Sequence, residues 1–131
     1  TTGSSATSGT LQTAQVSGVP LPPNVQVVTP GPDVPADLAA FSGKWGGIWD
    51  GVLPSMVVIE SVAANGDVRG VYAWGTAQFT QPGFSRFRAK IVGGKFEWGS
   101  NVKFEFEMRD GKLLGERIVS GIVNEVTMTK L

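Results

Sequence analysis

The sequence predicts an all-β fold, an eight-stranded antiparallel up-and-down barrel that follows an extended, proline-rich arm. From residue 43 onward, apolar and polar residues alternate with a period of two, which is the repeat of a strand and not of a helix. Short Gly-containing turn sequences separate the alternating segments, so neighbouring strands are expected to be sequential and antiparallel. A β-sandwich is the alternative all-β arrangement.

The first 38 residues differ in composition from the rest of the chain. They contain six of the eight prolines, no aromatic residue and only two charges, Asp33 and Asp37. Because such a segment cannot bury enough apolar surface to fold alone, we divide the chain into an arm over residues 1–38 and a barrel over residues 39–131. Residues 1–10 are typical of a flexible linker, and the Pro-rich stretch after them is expected to be extended.

An ordered arm of this composition must lie on another surface, either its own barrel or a neighbouring chain. Residues 24–28 alternate weakly and could add a strand to a sheet edge. After the arm, residues 35–41 are expected to form one or two helical turns, with Pro35 at the start and Gly43 beyond the end.

The barrel is predicted from eight segments. Their ranges are 43–50, 55–63, 67–75, 84–93, 95–99, 102–109, 112–120 and 122–131. Asn65-Gly66 and Asp110-Gly111 favour the positive φ angles of tight hairpin turns. The link over residues 76–83 is longer, and with Phe79 at its centre it is the best candidate for a lid or a partner contact.

Alternation also assigns the two faces of each strand. The predicted interior is strongly aromatic, with glycines opposite bulky rings because adjacent positions of a narrow barrel must share volume. Residues 55–60 of the second strand are apolar on both faces, so a cover is expected on both sides, provided by the arm, by a second subunit or by both. Arg86, Arg88 and Lys90 form an outer basic stripe that Glu105 and Glu107 could neutralise.

Composition excludes several classes of function. Eleven basic and eleven acidic residues give zero net charge, so nucleic acid is not an expected partner. The absence of Cys and His removes disulfides, catalytic triads, His-ligated haem and ordinary zinc sites, and no metal or cofactor is expected. No apolar run approaches the roughly 20 residues of a membrane span.

Phe41-Ser42-Gly43-Lys44-Trp45 resembles the F-x-G-x-W signature that opens the first strand of lipocalins and the wider calycin group. The resemblance implies a calycin-like barrel over about residues 38–131, closed at one end by the preceding helical turn. It also implies that a basic residue on the last strand covers the signature Trp. Lys130 occupies that position here, where the group usually has Arg.

Two further families share parts of this pattern. Leu53-Pro54-Ser55 and residues 65–72 are similar to the first hairpin of avidin-like barrels, and this similarity implies that Ser55 and Tyr72 are polar ligand contacts. Gly43-Lys44-Trp45-Gly46-Gly47 is similar to the opening of nitrobindin-like barrels, but those need a His for haem, which this chain lacks.

The candidate site combines aromatic residues with a few polar ones that the predicted faces place inside the barrel. The predicted ligand-binding residues are Trp49, Ser55, Tyr72, Trp74, Trp98, Arg117 and Asn124. The aromatic members could line a pocket or simply fill a narrow barrel. Arg117 could point inward, where it needs an acidic partner or a bound anion, or outward towards a surface carboxylate. Asn124 could be a buried polar contact, or it could lie at the rim of the barrel and be exposed to water.

Three functions are compatible with these features. The first is a non-catalytic barrel or accessory domain that binds a small apolar ligand. The second is a structural or assembly subunit that joins a protein partner or further copies of itself through the arm and the second strand. The third is a barrel-type cyclase or isomerase acting on a hydrophobic substrate. The chain begins with Thr1 and not with Met, so we expect a protein trimmed by signal removal, by other proteolysis or by the choice of the expressed segment. The expected location is extracytoplasmic or secreted.

Overall fold

A computed structural model describes residues 18–77 and 80–131. The predicted linker at residues 1–10 and the predicted lid residue Phe79 lie outside the described residues. The described part contains one helix and eight strands. The bounds are α1 Ala36–Ala39, β1 Gly43–Trp49, β2 Leu53–Val62, β3 Asp67–Trp74, β4 Gly83–Lys90, β5 Lys95–Gly99, β6 Val102–Arg109, β7 Lys112–Val119 and β8 Ile122–Lys130.

The eight strands form one antiparallel sheet in the order β4-β3-β2-β1-β8-β7-β6-β5. Strands adjacent in the chain are hydrogen-bonded to each other at every step except from β4 to β5, and β1 also pairs with β8. This is the predicted up-and-down antiparallel barrel, and the calycin-like fold implied by the F-x-G-x-W resemblance is confirmed. The barrel is nearly closed, and the sandwich alternative is wrong.

Closure of the barrel is incomplete at one seam, between β4 and β5. β4 and β5 are the two ends of the hydrogen-bonded sheet. After β4 the Ile91 N–H bonds to the Gly66 carbonyl, so the chain turns towards the β2–β3 turn before β5 begins. The two strands meet through side chains instead, because the rings of Phe87 and Trp98 stack across the seam with centroids 4.0 Å apart.

The tight turns follow the predicted chemistry with one difference. Asp110 and Gly111 both have positive φ, 54° and 76°, as a type I′ hairpin turn requires. In the β2–β3 turn only Gly66 has a positive φ. There the Asn65 side chain accepts a hydrogen bond from the Asp67 N–H, so the side chain stabilises this turn in place of the backbone geometry of a two-residue hairpin.

The signature residues close the barrel end next to α1. Trp45 is 1% exposed and its indole N–H donates to the Phe41 carbonyl at 3.0 Å. The Lys130 ammonium lies over the Trp45 ring, 5.3 Å from its centroid, as the resemblance implies for a basic residue on the last strand. Gly43 makes room for it, since a Cβ there would stand 2.8 Å from Lys130 Cε.

Glycines face rings inside the barrel, as predicted. Gly70 is the β3 partner of Phe87 on β4, and a Cβ on Gly70 would lie 2.8 Å from the Phe87 ring. Gly115 on β7 stands opposite Phe106 on β6 in the same way. Because Gly70 and Gly115 have no side chain, the rings of Phe87 and Phe106 fit beside them in the interior, where adjacent positions must share volume.

The arm packs on its own barrel, on the outer face of β2 and β3. Val19, Leu21 and Val25 contact an outer apolar cluster of buried residues. That cluster consists of Met56, Val58 and Val71. The two apolar faces of β2 are thus covered by the core on one side and by the arm on the other, which confirms the first of the predicted covers.

The arm does not extend the sheet, contrary to the expectation for residues 24–28. These residues are not part of any strand. The β2–β3 register shifts between Ile59 and Ser61, which leaves Glu60 in a bulge, and the Glu60 carbonyl accepts a bond from the Val28 N–H at 2.8 Å. The described part of the arm therefore bonds to Glu60, through its carbonyl and its carboxylate, and not to a strand edge.

Charges on the outer surface are arranged differently from the expectation. Arg86 pairs with Glu60 at 2.8 Å, and Arg88 stands opposite Arg69 on β3. Glu105 pairs with a lysine of its own strand and Glu107 with an arginine of its own strand, on the far side of the seam. The basic stripe is not neutralised by Glu105 and Glu107 because β4 pairs with β3 and not with β6.

Candidate functional site

A cleft of about 560 Å³ opens at the end of the barrel opposite α1. This end carries the β1–β2, β3–β4 and β7–β8 connections, while Phe41 and the partly buried Leu38 pack into the core at the other end. Below the cleft the interior is filled by stacked rings, with Phe96 and Phe106 both under 3% exposed. Among the described residues, aromatic rings therefore fill the interior below the cleft, and the cleft opens at the mouth of the barrel.

Aromatic rings form the floor and one wall of the cleft. The Tyr72 ring lies 4.6 Å from Phe104 and 5.5 Å from Trp74, measured between centroids. Trp49 lies 6.2 Å from Phe104 on the opposite side. The Trp74 indole N–H donates to the Gln81 carbonyl at 2.8 Å, which ties the wall to the end of the long β3–β4 link. The arrangement offers flat apolar surface of the kind that aromatic ligands bind.

The Tyr72 hydroxyl is the polar centre of this floor. It accepts a hydrogen bond from the Trp49 indole N–H at 2.9 Å, and the Ser55 hydroxyl lies 3.4 Å away. Burial raises the pKa of Tyr72 above its ordinary value of 10.0, although the hydrogen bonds from Ser55 and Trp49 and the charge of Arg117 act in the opposite direction. The phenol therefore keeps its proton at neutral pH and can donate it to a hydrogen-bond acceptor.

Arg117 provides a positive charge beside the rings. It stands between Phe104 on β6 and Asn124 on β8 in the strand register, on the inner face of the half-buried β7. Its guanidinium donates to Asn124 Oδ1 at 3.4 Å, and Asn124 Nδ2 donates to the Asp50 carboxylate at 2.7 Å. Asp50 also accepts from the Glu125 N–H. Among the described residues, no carboxylate lies within 4 Å of Arg117.

The structure brings five of the seven predicted site residues to this cleft. They are Trp49, Tyr72, Trp74, Arg117 and Asn124. Ser55 is fully buried behind the Tyr72 hydroxyl, and Trp98 is stacked between Phe87 and Phe104, so neither lines the cleft. Of the alternatives left open for Arg117 and Asn124, the inward one is observed for Arg117, and Asn124 is half-buried at the rim. Their roles as ligand contacts stay predictions.

The sequence prediction missed eight of the thirteen described residues that line the cleft. Leu53, Phe104 and Asp50 are three of them. Phe104 shares its face with Phe106 by simple alternation, so that pattern could have identified it. Asp50 lies in the turn after β1, with φ 47°. Its contact with Asn124 joins residues 74 positions apart, and no local pattern shows this contact.

The described residues contain no group of three or more acidic side chains placed to hold a metal ion. They also contain no helix with the length and apolar character needed to cross a bilayer.

Comparisons with known proteins identify no family for the chain. No protein-family model matches the sequence, and no curated protein matches it. Among solved structures, one similar chain is that of a mutant of the fluorescent protein UnaG, with 13% sequence identity and a TM-score of 0.48. The match covers 69% of this chain and 95% of that chain.

Proposed function

We propose that this protein binds a small, mainly apolar ligand carrying an acidic group, in the cleft at the mouth of the barrel. The observation that carries the proposal is the position of Arg117, half-buried in an aromatic cleft and without a carboxylate within 4 Å in the described part of the chain. A charge that is partly removed from water and not directly paired favours the approach of an anion.

The size and lining of the cleft support a small ligand. Ligand pockets commonly measure about 300 to 1,000 Å³ and are lined by apolar and aromatic side chains with a few placed polar groups. The cleft has about 560 Å³, and apolar and aromatic residues line it together with six residues that carry polar or charged side chains, which are Asp50, Tyr72, Thr80, Ser85, Arg117 and Asn124. Because rings fill the barrel below it, the ligand is expected to lie across the mouth, against Tyr72 and Phe104, and not along the full barrel axis.

The polar groups suggest how an acidic ligand would be oriented. Among the described residues, Arg117 bonds only to Asn124 and at a long distance, so most of its five N–H donors are available for a carboxylate within that part of the chain. Asp50 on the far side of Asn124 would repel a second negative charge. A ligand with a single acidic group placed next to Arg117 and an aromatic body over Tyr72 therefore fits the charge distribution best.

The two alternatives receive less support from the described residues. The assembly hypothesis expects an arm free to cover a neighbour, whereas residues 19–25 pack on their own β2 and β3. The cyclase or isomerase hypothesis gains an inward Tyr72 hydroxyl in the cleft. However, its raised pKa makes it a hydrogen-bond donor and a poor base at neutral pH, which suits binding more than proton abstraction.

The test uses a matched pair of probes, 2-naphthoate and its uncharged amide, and follows quenching of tryptophan fluorescence. We expect wild-type protein to bind the acid more tightly than the amide. Arg117→Gln should weaken binding of the acid about tenfold or more, as expected for the loss of a charged hydrogen bond, and should change binding of the amide little.

Arg109→Gln is the matched control, because Arg109 is an exposed arginine on β6 that pairs with Glu107 and lies outside the cleft. Equal affinity for both probes, or equal loss in both variants, would show that Arg117 does not recognise an acidic group. An absence of quenching by either probe in folded wild-type protein would count against ligand binding in the cleft altogether.

A further inference from the structure

A second cavity, separate from the cleft, lies on the outside of the barrel. It is a groove of about 420 Å³ between the arm and the outer face of β3 and β4. Asn24, Gln26 and Val28 line it from the arm, and three arginines line it from the sheet. Those arginines are Arg69, Arg86 and Arg88. None of its lining residues also lines the cleft at the barrel mouth.

Two of these arginines bring like charges close together, which is electrostatically unfavourable. Arg69 on β3 and Arg88 on β4 are direct partners in the antiparallel register. Residues directly opposite each other have Cβ atoms about 4.5 to 5.5 Å apart, and like charges in such pairs destabilise a sheet. Neither arginine has a carboxylate within 4 Å in residues 18–77 and 80–131. Both are exposed and are therefore open to a ligand.

The carboxylate of Glu60, which also lines the groove, already accepts hydrogen bonds from two other residues. Glu60 Oε1 accepts from Arg86 at 2.8 Å, and Glu60 Oε2 accepts from the Gln26 N–H at 3.1 Å. The Glu60 carbonyl also accepts from Val28. Glu60 therefore fastens the arm that forms one wall of the groove and compensates Arg86, while the charges of Arg69 and Arg88 remain without an acidic partner in the groove.

We propose that this groove binds a phosphate group, with Arg69 and Arg88 as its two principal ligands. A tetrahedral dianion can accept paired N–H bonds from two guanidinium groups at once, which converts the repulsion between them into a shared attraction. The side-chain amides of Asn24 and Gln26 face the same groove and can contribute neutral hydrogen bonds. The phosphate can belong to a free phosphorylated molecule or to the headgroup of a lipid.

The experiment is a calorimetric titration with inorganic phosphate and with pyrophosphate at constant ionic strength, together with flotation on phosphatidylcholine vesicles with and without phosphatidic acid. Arg69→Gln and Arg88→Gln should each weaken pyrophosphate binding about tenfold, the usual effect of removing a charged hydrogen bond. Arg109→Gln, an exposed arginine on the other side of the seam, should leave it unchanged.

Binding of the soluble anions without vesicle flotation would support a free phosphorylated ligand, and flotation that requires phosphatidic acid and Arg69 would support a lipid headgroup.

A second readout is the stability of the protein in urea. Without phosphate, Arg88→Gln should unfold at higher urea concentration than wild type, because it removes the Arg69–Arg88 repulsion. Failure of wild type to bind any of these probes, or equal loss in Arg109→Gln, would overturn the proposal.

Discussion

Tyr72 shows how the environment of one side chain sets its chemistry. Its hydroxyl lies between the Trp49 indole N–H and the Ser55 hydroxyl, at the floor of the cleft. Burial dominates over these bonds and raises the pKa of the phenol. Because the charged form is the one that burial disfavours, Tyr72 acts as a neutral hydrogen-bond donor.

The raised pKa of Tyr72 predicts a pH dependence of stability. The unfolded chain loses the phenolic proton near pH 10, before the folded protein does, so this part of the free energy of unfolding is fully present below pH 10. It is lost as the pH rises from 10 through the higher pKa of the folded state. The chain has a single tyrosine, so the near-ultraviolet absorbance of phenolate reports on Tyr72 alone.

We expect the native absorbance midpoint above pH 10 and a return to about 10 in urea. Tyr72→Phe is the control in the stability measurement, because it should remove this alkaline loss. A native midpoint at or below 10 would mean that water or the Arg117 charge outweighs burial at this hydroxyl.

At the scale of elements, the arm acts as a cover for one strand. β2 is apolar on both faces, and the segment around Leu21 shields Met56 and Val58 from water. The predicted need for a cover came from alternation within β2 alone. Which surface provides it depends on contacts between residues more than 30 positions apart, such as Gln26 with Glu60, and local patterns do not contain that information.

Leu21→Ala should therefore lower the free energy of unfolding by about 1 to 2 kcal/mol, which is the loss of part of a buried leucine side chain. Val27→Ala is the matched control, since Val27 is 39% exposed and outside the outer cluster. Its effect should stay within about 0.5 kcal/mol. Urea unfolding measures both variants. Equal stability of the two would mean that residues 19–25 do not cover β2 in solution.

At the scale of the whole molecule, ring stacking takes the place of backbone hydrogen bonds along the seam. Phe87 on β4 stacks on Trp98 and lies parallel to Phe96, both on β5. These contacts join the two ends of a sheet that is otherwise continuous. A barrel that closes through side chains should depend on them more than one closed by a full hydrogen-bonded ladder.

Phe87→Ala should lower the free energy of unfolding by about 3 to 5 kcal/mol, the range for removing a buried ring. Phe84 lies on the same strand and is 45% exposed, against 6% for Phe87, so Phe84→Ala should cost less than about 1 kcal/mol. If Phe87→Ala does not fold, Phe87→Leu keeps apolar volume and removes only the stacking. Similar losses at residues 84 and 87, measured by urea unfolding, would contradict a seam held by rings.

The strands and their faces could be predicted from local patterns, because alternation and turn chemistry are properties of short segments. The barrel end at Trp45 and Lys130 could be predicted from a short signature and the resemblance it carries. The contacts between distant residues are visible only in the folded barrel. The Asp50–Asn124 contact, the depth of the cleft and the Arg69–Arg88 pair depend on register and closure. Strand register across a barrel is set by the packing of all strands together, and the period-two pattern of one strand is compatible with several registers.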